Sequence, residues 1–186
     1  IAEFIDKKAD IQPAEVINKA PSADSYPLSS AQKRIFLSSS MSEESTILYN
    51  TPGAVLFNSQ PDKNKLASCF EKLVERHEAF RTYFVSENGN FVQKIFPHIH
   101  FEIEIEKNKE ENLNLIYHDF VKPFDLSCPP LLRCKLVEFD NGKSALLLDM
   151  HHIISDGASL EIIVKELCAL YNDKTLPQLD YTYKDF

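Results

Sequence analysis

Met150-His151-His152-Ile153-Ile154-Ser155-Asp156-Gly157 is the stretch of this 186-residue chain that decides the fold. It follows Ser144-Ala145-Leu146-Leu147-Leu148, a continuous apolar run typical of a strand buried on both faces. An apolar stripe at helical spacing comes after it, formed by Leu160, Ile163, Val164, Leu167 and Tyr171. The sequence therefore predicts a strand that ends at His151 and a helix that begins near Asp156 or Gly157. The unpaired amides and positive dipole end of that helix would point at whatever the histidines face.

Each part of this stretch has an ordinary structural explanation when it is taken alone. Asp156 fits a helix N-cap, and adjacent histidines at a strand end fit core or edge residues. The whole string is more specific, because His-His-x-x-x-Asp-Gly stands between a buried strand and an amphipathic helix. It resembles the active-site motif of nonribosomal peptide synthetase condensation domains and chloramphenicol acetyltransferase-like acyltransferases. This resemblance implies that His152 is the catalytic residue and that His151, Asp156 and Gly157 complete the motif.

Further strings resemble the other motifs of condensation domains, in the order of the family. They are Ser29 to Leu37 (S-x-A-Q-x-R and apolar residues), Arg76 to Phe84 (R-H-E-x-L-R-T-x-F), Pro123 to Leu126 (P-F-D-L), Pro130 to Arg133 (P-L-L-R) and Tyr183 to Phe186 (Y-x-D-F). Phe80 replaces the leucine of the second motif, which exchanges one apolar residue for another. The resemblance therefore extends from about Tyr26 to Phe186.

The composition fits one domain of ordinary size, or one lobe of a larger one. Hydrophobic residues make up 44% of the chain and charged residues 26%, which are globular values. A net charge of −8 argues against a nucleic-acid partner, since phosphate binding requires clustered Lys and Arg. The four cysteines have no metal-ligand spacing, which predicts free thiols in the cytoplasm. We find neither a signal-peptide pattern nor a run of ~20 apolar residues and therefore expect no membrane span.

The periodicities predict alternating strands and helices, and the resemblance implies an α/β fold of the chloramphenicol acetyltransferase-like lobe, with a mixed, largely antiparallel sheet flanked by helices. Helices are expected from Ser29 or Ser30, over 62–77 and over 113–121. Asn50 to Gly53 is expected to be a turn, followed by a strand over 54–57, and alternation predicts a strand over 101–105. Two hairpins are expected, with turns at Asn88-Gly89 and Asn141-Gly142.

The first 25 residues differ from the rest. Apolar residues at 1, 4 and 5 suggest the end of a helix, and residues 10–25 are polar with two prolines, as in a tether. With the resemblance, we expect residues 1–25 to be the end of an upstream carrier domain and its linker. Residues 26–186 would be the N-terminal lobe of a condensation domain whose C-terminal lobe is absent.

A metal site is a second interpretation of one other segment. His98 and His100 share the polar face of the strand expected near residues 101–105 with three glutamates. Ordered ligands on an open strand edge are uncommon, so a solvated face is the favoured interpretation and we expect no metal.

The resemblance also implies a reaction. A condensation domain joins two substrates carried on the phosphopantetheine arms of upstream and downstream peptidyl carrier domains, and no cofactor binds to it directly. His152 has three possible roles: base, positioning group for the amine, or stabiliser of the tetrahedral intermediate. The amide of Gly157 is a candidate oxyanion donor. Asp156 is expected to shape the turn through an ion pair, with Arg81 as the nearest candidate here and a residue of the absent lobe as the alternative.

Three rival functions remain open from the sequence. An epimerisation domain shares the His-His motif and is separated by an assay for inversion at the α-carbon. A stand-alone acyltransferase would use free acyl-coenzyme A, and a non-catalytic lobe would only bind carriers. The sequence around 30–34 and 155–159 is most similar to the subtype that joins two L-configured residues. Since one lobe supplies only one wall of the family's tunnel, we expect the chain alone to be inactive.

Overall fold

The computed structural model describes residues 17–41, 47–109 and 113–186, so the helix expected at 1–5 lies outside the described residues. The elements in chain order are β1 (Tyr26–Pro27), α1 (Ser30–Ser39), β2 (Asn50–Phe57), α2 (Lys63–Arg76), a 3₁₀ turn (Glu78–Arg81), β3 (Thr82–Glu87), β4 (Asn90–Ile95), β5 (Glu104–Asn108), α3 (Leu113–Phe120), β6 (Leu132–Phe139), β7 (Ser144–His151), α4 (Gly157–Tyr171) and a second 3₁₀ turn (Tyr183–Asp185). The predicted helices are confirmed, with N-caps at Ser29 and Asp62 for the first two.

The larger sheet has four strands in the order β2-β7-β6-β5. Its β2–β7 and β7–β6 pairs are antiparallel and its β6–β5 pair is parallel, which confirms the mixed, largely antiparallel sheet. Every residue of β7 is buried, as its continuous apolar run predicts. The strand that leads to the histidines therefore lies at the centre of this lobe.

Two layers of side chains cover the faces of β7. On one face, Leu146, Leu148 and Met150 belong to a core cluster with residues of α2 and α4. On the other face, Ala145 and Leu147 pack with residues of α3 and β6. Helices on both faces thus hold the strand rigidly along its length.

A second, three-stranded sheet has the order β1-β4-β3. Its hairpin turns at Asn88 and Gly89, whose φ angles are 51° and 79°, as the Asn-Gly signal predicts. A small core that includes Phe84 of β3, Phe124 and Ile153 joins this sheet to the segment after the histidines. The smaller sheet therefore supports that segment.

Two strand predictions were wrong in their bounds. Asn50 to Gly53 is not a turn, because it begins β2 and pairs with β7 from His151 back to Leu148. Pro52 is compatible with this position since β2 is an edge strand of the described sheet. The strand expected from Phe101 begins at Glu104, where the pairing with β6 starts.

The histidines near β5 are exposed and contact neighbouring carboxylates. His98 Nδ1 lies 3.0 Å from Glu75, and His100 Nε2 lies 3.2 Å from Glu102. All four cysteines are free. Within the described ranges, no helix is long and apolar enough to cross a membrane.

Candidate active site

The histidine motif lies where β7 gives way to α4. β7 ends at His151 and α4 begins at Gly157, which confirms both ends predicted from the sequence. The backbone amide of His151 donates to the carbonyl of Leu131, and that of His152 donates to the carbonyl of Tyr49 at 2.7 Å. Backbone bonds to two other segments thus fix the start of the turn.

The imidazole of His152 is exposed, and one hydrogen bond fixes its tautomer. Its Nδ1 lies 2.7 Å from the carbonyl oxygen of Ser155. A carbonyl oxygen can only accept, so Nδ1 carries the proton and donates. In the neutral ring Nε2 therefore has the free lone pair, and it is the nitrogen that can accept a proton.

His151 has the opposite arrangement. Its ring is fully buried, and its Nδ1 accepts the backbone amide of Ile153 at 3.2 Å. Its ring also lies against those of Tyr49 and Phe124, with centroids 6.1 and 6.2 Å away. The backbone carbonyl of His151 accepts the hydroxyl of Ser155, whose own carbonyl orients His152. His151 is therefore the buried histidine that supports the turn, and His152 is the exposed one.

The predicted ion pair of Asp156 with Arg81 is wrong. Asp156 is exposed and caps α4, where its Oδ1 accepts the amides of Ala158 and Ser159 at 3.1 and 3.0 Å. The hydrogen bond from the Ser159 hydroxyl, followed by these amides, lowers the pKa of this carboxyl. Capping satisfies an exposed carboxylate without a bond to Arg81, which explains the difference, and the alternative of a partner in a second lobe stays a prediction.

Arg81 is buried and serves another part of the lobe. Its guanidinium donates to the carbonyls of Val74, Glu75, Phe96 and Pro97. These bonds join the end of α2 to the segment after β4. Arg81 thus stabilises the framework and does not contact Asp156.

Gly157 is the first residue of α4. The cap formed by Asp156 engages the amides of Ala158 and Ser159, so the Gly157 amide stands outside it. A Cβ at Gly157 would meet no atom within 4 Å. Within the described part of the chain, a glycine is therefore not required here for packing.

A cavity of about 350 Å³ lies beside the motif. His152 and Asp156 line one side of it, and Gln32 and Ile35 of α1 line another. Gln32 is buried and its Nε2 donates to the carbonyl of Ile153 at 3.4 Å. The Ser29 to Leu37 motif and the histidine motif therefore meet at one cavity.

Asp149 is a buried carboxylate that belongs to none of the sequence motifs. It lies two residues before His151 and is fully buried, with Oδ2 accepting Nδ2 of Asn50 at 2.8 Å. Arg133 Nη1 is 3.7 Å from the same oxygen. Burial raises the pKa of Asp149 to about 6, although Arg133 and Asn50 act in the opposite direction. The signal in the sequence was a single acidic residue inside an apolar strand.

Comparison with known proteins identifies the family. The condensation-domain model matches residues 22–186. The chain belongs to the condensation-domain family. Gramicidin S synthase 2 of Aneurinibacillus migulanus is 39% identical over 186 residues, which is all of this chain and 4% of that protein. Tyrocidine synthase 2 of Brevibacillus parabrevis is 42% identical over 178 residues, which is 96% of this chain and 5% of that protein.

Solved structures of the family share this fold. The X-domain from teicoplanin biosynthesis, in its complex with OxyB, superposes with a TM-score of 0.83 at 22% identity, covering 94% of this chain and 39% of that one. The first condensation domain of the CDA synthetase gives a TM-score of 0.75 at 18% identity, covering 89% and 43%. The chain thus spans less than half of each of these two solved chains and about one twentieth of the two synthases.

We expect replacement of Asp156 by Ala to destabilise this lobe modestly. Loss of an N-cap costs about 1 kcal/mol, which lowers Tm by roughly 2–4 °C in a chain of this size. Asp62→Ala is the matched control, because Asp62 caps α2 with a bond to the Lys65 amide. Thermal unfolding followed by circular dichroism should give similar shifts for both. A loss above about 3 kcal/mol for Asp156→Ala alone would indicate a buried ion pair instead.

We also expect Asp149 to make the free energy of unfolding depend on pH. Its pKa is raised from 3.8 to about 6, so between these values the unfolded chain ionises first and stability falls as pH rises. At about 1.4 kcal/mol for each pKa unit, the loss is up to about 3 kcal/mol. The free energy of unfolding of Asp149→Asn should therefore be larger than that of wild type at pH 7, and the difference should disappear towards pH 4. Urea unfolding from pH 4 to pH 7 measures this difference in free energy. A difference that stays constant with pH would contradict the expectation.

Proposed function

We propose that this chain is the N-terminal lobe of a condensation domain that forms peptide bonds in a nonribosomal peptide synthetase. The amine of an acceptor aminoacyl group on one carrier attacks the donor thioester on another. The observation that carries the proposal is the state of His152, which is exposed at a cavity with its Nδ1 proton held by the Ser155 carbonyl. Membership of the family and the similarity to gramicidin and tyrocidine synthases support it.

The reaction forms one C–N bond and breaks one C–S bond. The amine nitrogen adds to the thioester carbon, the tetrahedral intermediate collapses, and the phosphopantetheine sulfur leaves. The nitrogen loses one proton and the sulfur gains one, so no external reactant is consumed. Nε2 of His152 is the atom that takes the proton from the nitrogen and can return it to the sulfur.

The donor carbonyl oxygen becomes negatively charged in the intermediate. The amide of Gly157 lies at the N-terminus of the 15-residue helix α4, outside the cap formed by Asp156. Helix N-termini favour negative charge through unpaired amides and the macrodipole. We assign the Gly157 amide as oxyanion donor in this reaction.

Placement of the substrates supplies most of the acceleration. General acid–base catalysis contributes about 10²- to 10⁴-fold, whereas correct orientation gives effective molarities on the order of 10⁵ M or more. The acceptor amine has a pKa of about 8 and is partly neutral at pH 7, so a strong base is not required. Two phosphopantetheine arms, on upstream and downstream carriers, would be held between this lobe and a second lobe.

In the full-length protein, His152→Ala should reduce dipeptide formation about 10²-fold or more, since the proton acceptor is lost. Carrier binding should stay unchanged. His98→Ala is the matched control, because His98 is an exposed histidine bonded to Glu75 outside the cavity. Dipeptidyl-carrier formation followed by mass spectrometry measures all three proteins. The 186-residue chain alone should form no dipeptide from the same loaded carriers.

Other outcomes of the same assay identify the rivals. Inversion of the α-carbon without amide formation would identify an epimerisation domain, and transfer from free acyl-coenzyme A would identify a stand-alone acyltransferase. Carrier binding without any turnover by the full-length protein would identify a non-catalytic lobe. Turnover by the chain alone at the full-length rate would show that a second lobe is dispensable.

A further inference from the structure

Four separate segments meet around the Asp149 carboxylate. Nδ2 of Asn50, at the start of β2, donates to Asp149 Oδ2 and also to the carbonyl of Lys122 at 2.9 Å. Arg133 of β6 donates to the same carbonyl at 2.7 Å and to that of Pro123 at 3.1 Å. Asp149 thus holds β2, β6 and the segment after α3 against the end of β7.

This cluster is connected to His152 by short steps. Asn50 follows Tyr49, whose carbonyl accepts the backbone amide of His152 at 2.7 Å. The Arg133 guanidinium lies 3.7 Å above the ring of Phe124, and that ring contacts His151. The Asp149 carboxylate is therefore connected to the backbone of His152 through Asn50 and Tyr49. It is connected to the ring of His151 through Arg133 and Phe124.

Stability does not explain a carboxylate at this position. Its Oδ1 has no hydrogen-bond partner within the described part of the chain, and Asp149 is fully buried. The groups that interact electrostatically with it among the described residues are Arg133 from β6, Asn50 from β2 and Tyr117 from α3. Burial outweighs the favourable contacts, so its charged form opposes folding at neutral pH. A buried group that weakens the fold is a candidate for a role in activity.

We propose that the Asp149 carboxylate is a positioning residue for His152, acting through Asn50 and Arg133 on the junction of β2 and β7. The inference rests on the proposed function, since it assigns His152 a reaction to perform. The charged carboxylate fixes Asn50 more firmly than a neutral group does, because charge-assisted hydrogen bonds are about twice as strong as neutral ones. Firm placement of Asn50 fixes the Tyr49 carbonyl and with it the position of His152.

The test compares Asp149→Asn with wild type in the full-length protein, with aminoacyl-loaded carriers as substrates. At pH 7.5 we expect the variant to lose about tenfold in kcat, with the KM for each carrier unchanged, because a small displacement of a catalytic group is costly. The ratio of the two kcat values should shrink to about twofold at pH 5, where a carboxyl of pKa about 6 is mostly protonated in wild type. All other groups of the site are common to both proteins, so this ratio isolates the contribution of the Asp149 carboxylate.

Two further variants separate positioning from folding. Asn50→Ala should show the same loss of kcat, and adding Asp149→Asn to it should lower kcat no further. Glu138→Gln is the matched control, because Glu138 is a buried carboxylate of β6 that pairs with Lys63 at 2.7 Å. It should lose stability but keep wild-type kcat. Hydrogen–deuterium exchange of peptides spanning β7 reports folding in each variant.

The outcomes distinguish this inference from the proposed function. Absence of dipeptide formation by wild type would overturn the proposed function. With active wild type, full kcat in Asp149→Asn, or a kcat ratio that stays constant from pH 7.5 to pH 5, would overturn the role of Asp149 alone. Faster exchange of β7 in Asp149→Asn would also overturn it, since the carboxylate would then act through folding.

Discussion

The buried strand β7 is the constraint on which the site depends. It is hydrogen-bonded to β2 on one side and to β6 on the other, and apolar side chains pack on both of its faces. Such a strand has one register, because a slip by one residue would exchange its two faces. The place where it ends is therefore fixed. This in turn fixes the positions of the histidines, the turn and the start of α4.

The two adjacent histidines show how one turn gives identical side chains different roles. His151 continues the alternation of β7 into the core, and its Nδ1 accepts the amide of Ile153. His152 points to the exposed side, and its Nδ1 donates to the carbonyl of Ser155. The hydroxyl of Ser155 donates to the backbone carbonyl of His151, so the same residue links the backbone of His151 to the ring of His152. The motif thus acts as one hydrogen-bonded unit and not as separate catalytic groups.

Local patterns in the sequence were sufficient to predict β7, α4 and both hairpins, since each depends on neighbouring residues. They did not reveal the partners of side chains distant in sequence. Arg81 was expected near Asp156, but four carbonyls from two other segments surround its guanidinium. Asn50 was expected in a turn from its Pro-Gly neighbours, and pairing with β7 overrides that preference. Asp149 attracted no prediction, because a single residue in an apolar run does not show what lies opposite it.

The two carboxylates that flank the histidines differ in pKa for opposite reasons. Hydrogen bonds from the first turn of α4 lower the pKa of Asp156, whereas burial raises that of Asp149 to about 6. A lowered pKa keeps Asp156 ionised at neutral pH, where its carboxylate caps α4. Asp149, whose pKa is about 6, changes charge close to neutral pH and is separated from the paired histidines by Met150 alone. Opposite environments on the two sides of one motif thus move the pKa values of its two neighbouring carboxylates in opposite directions.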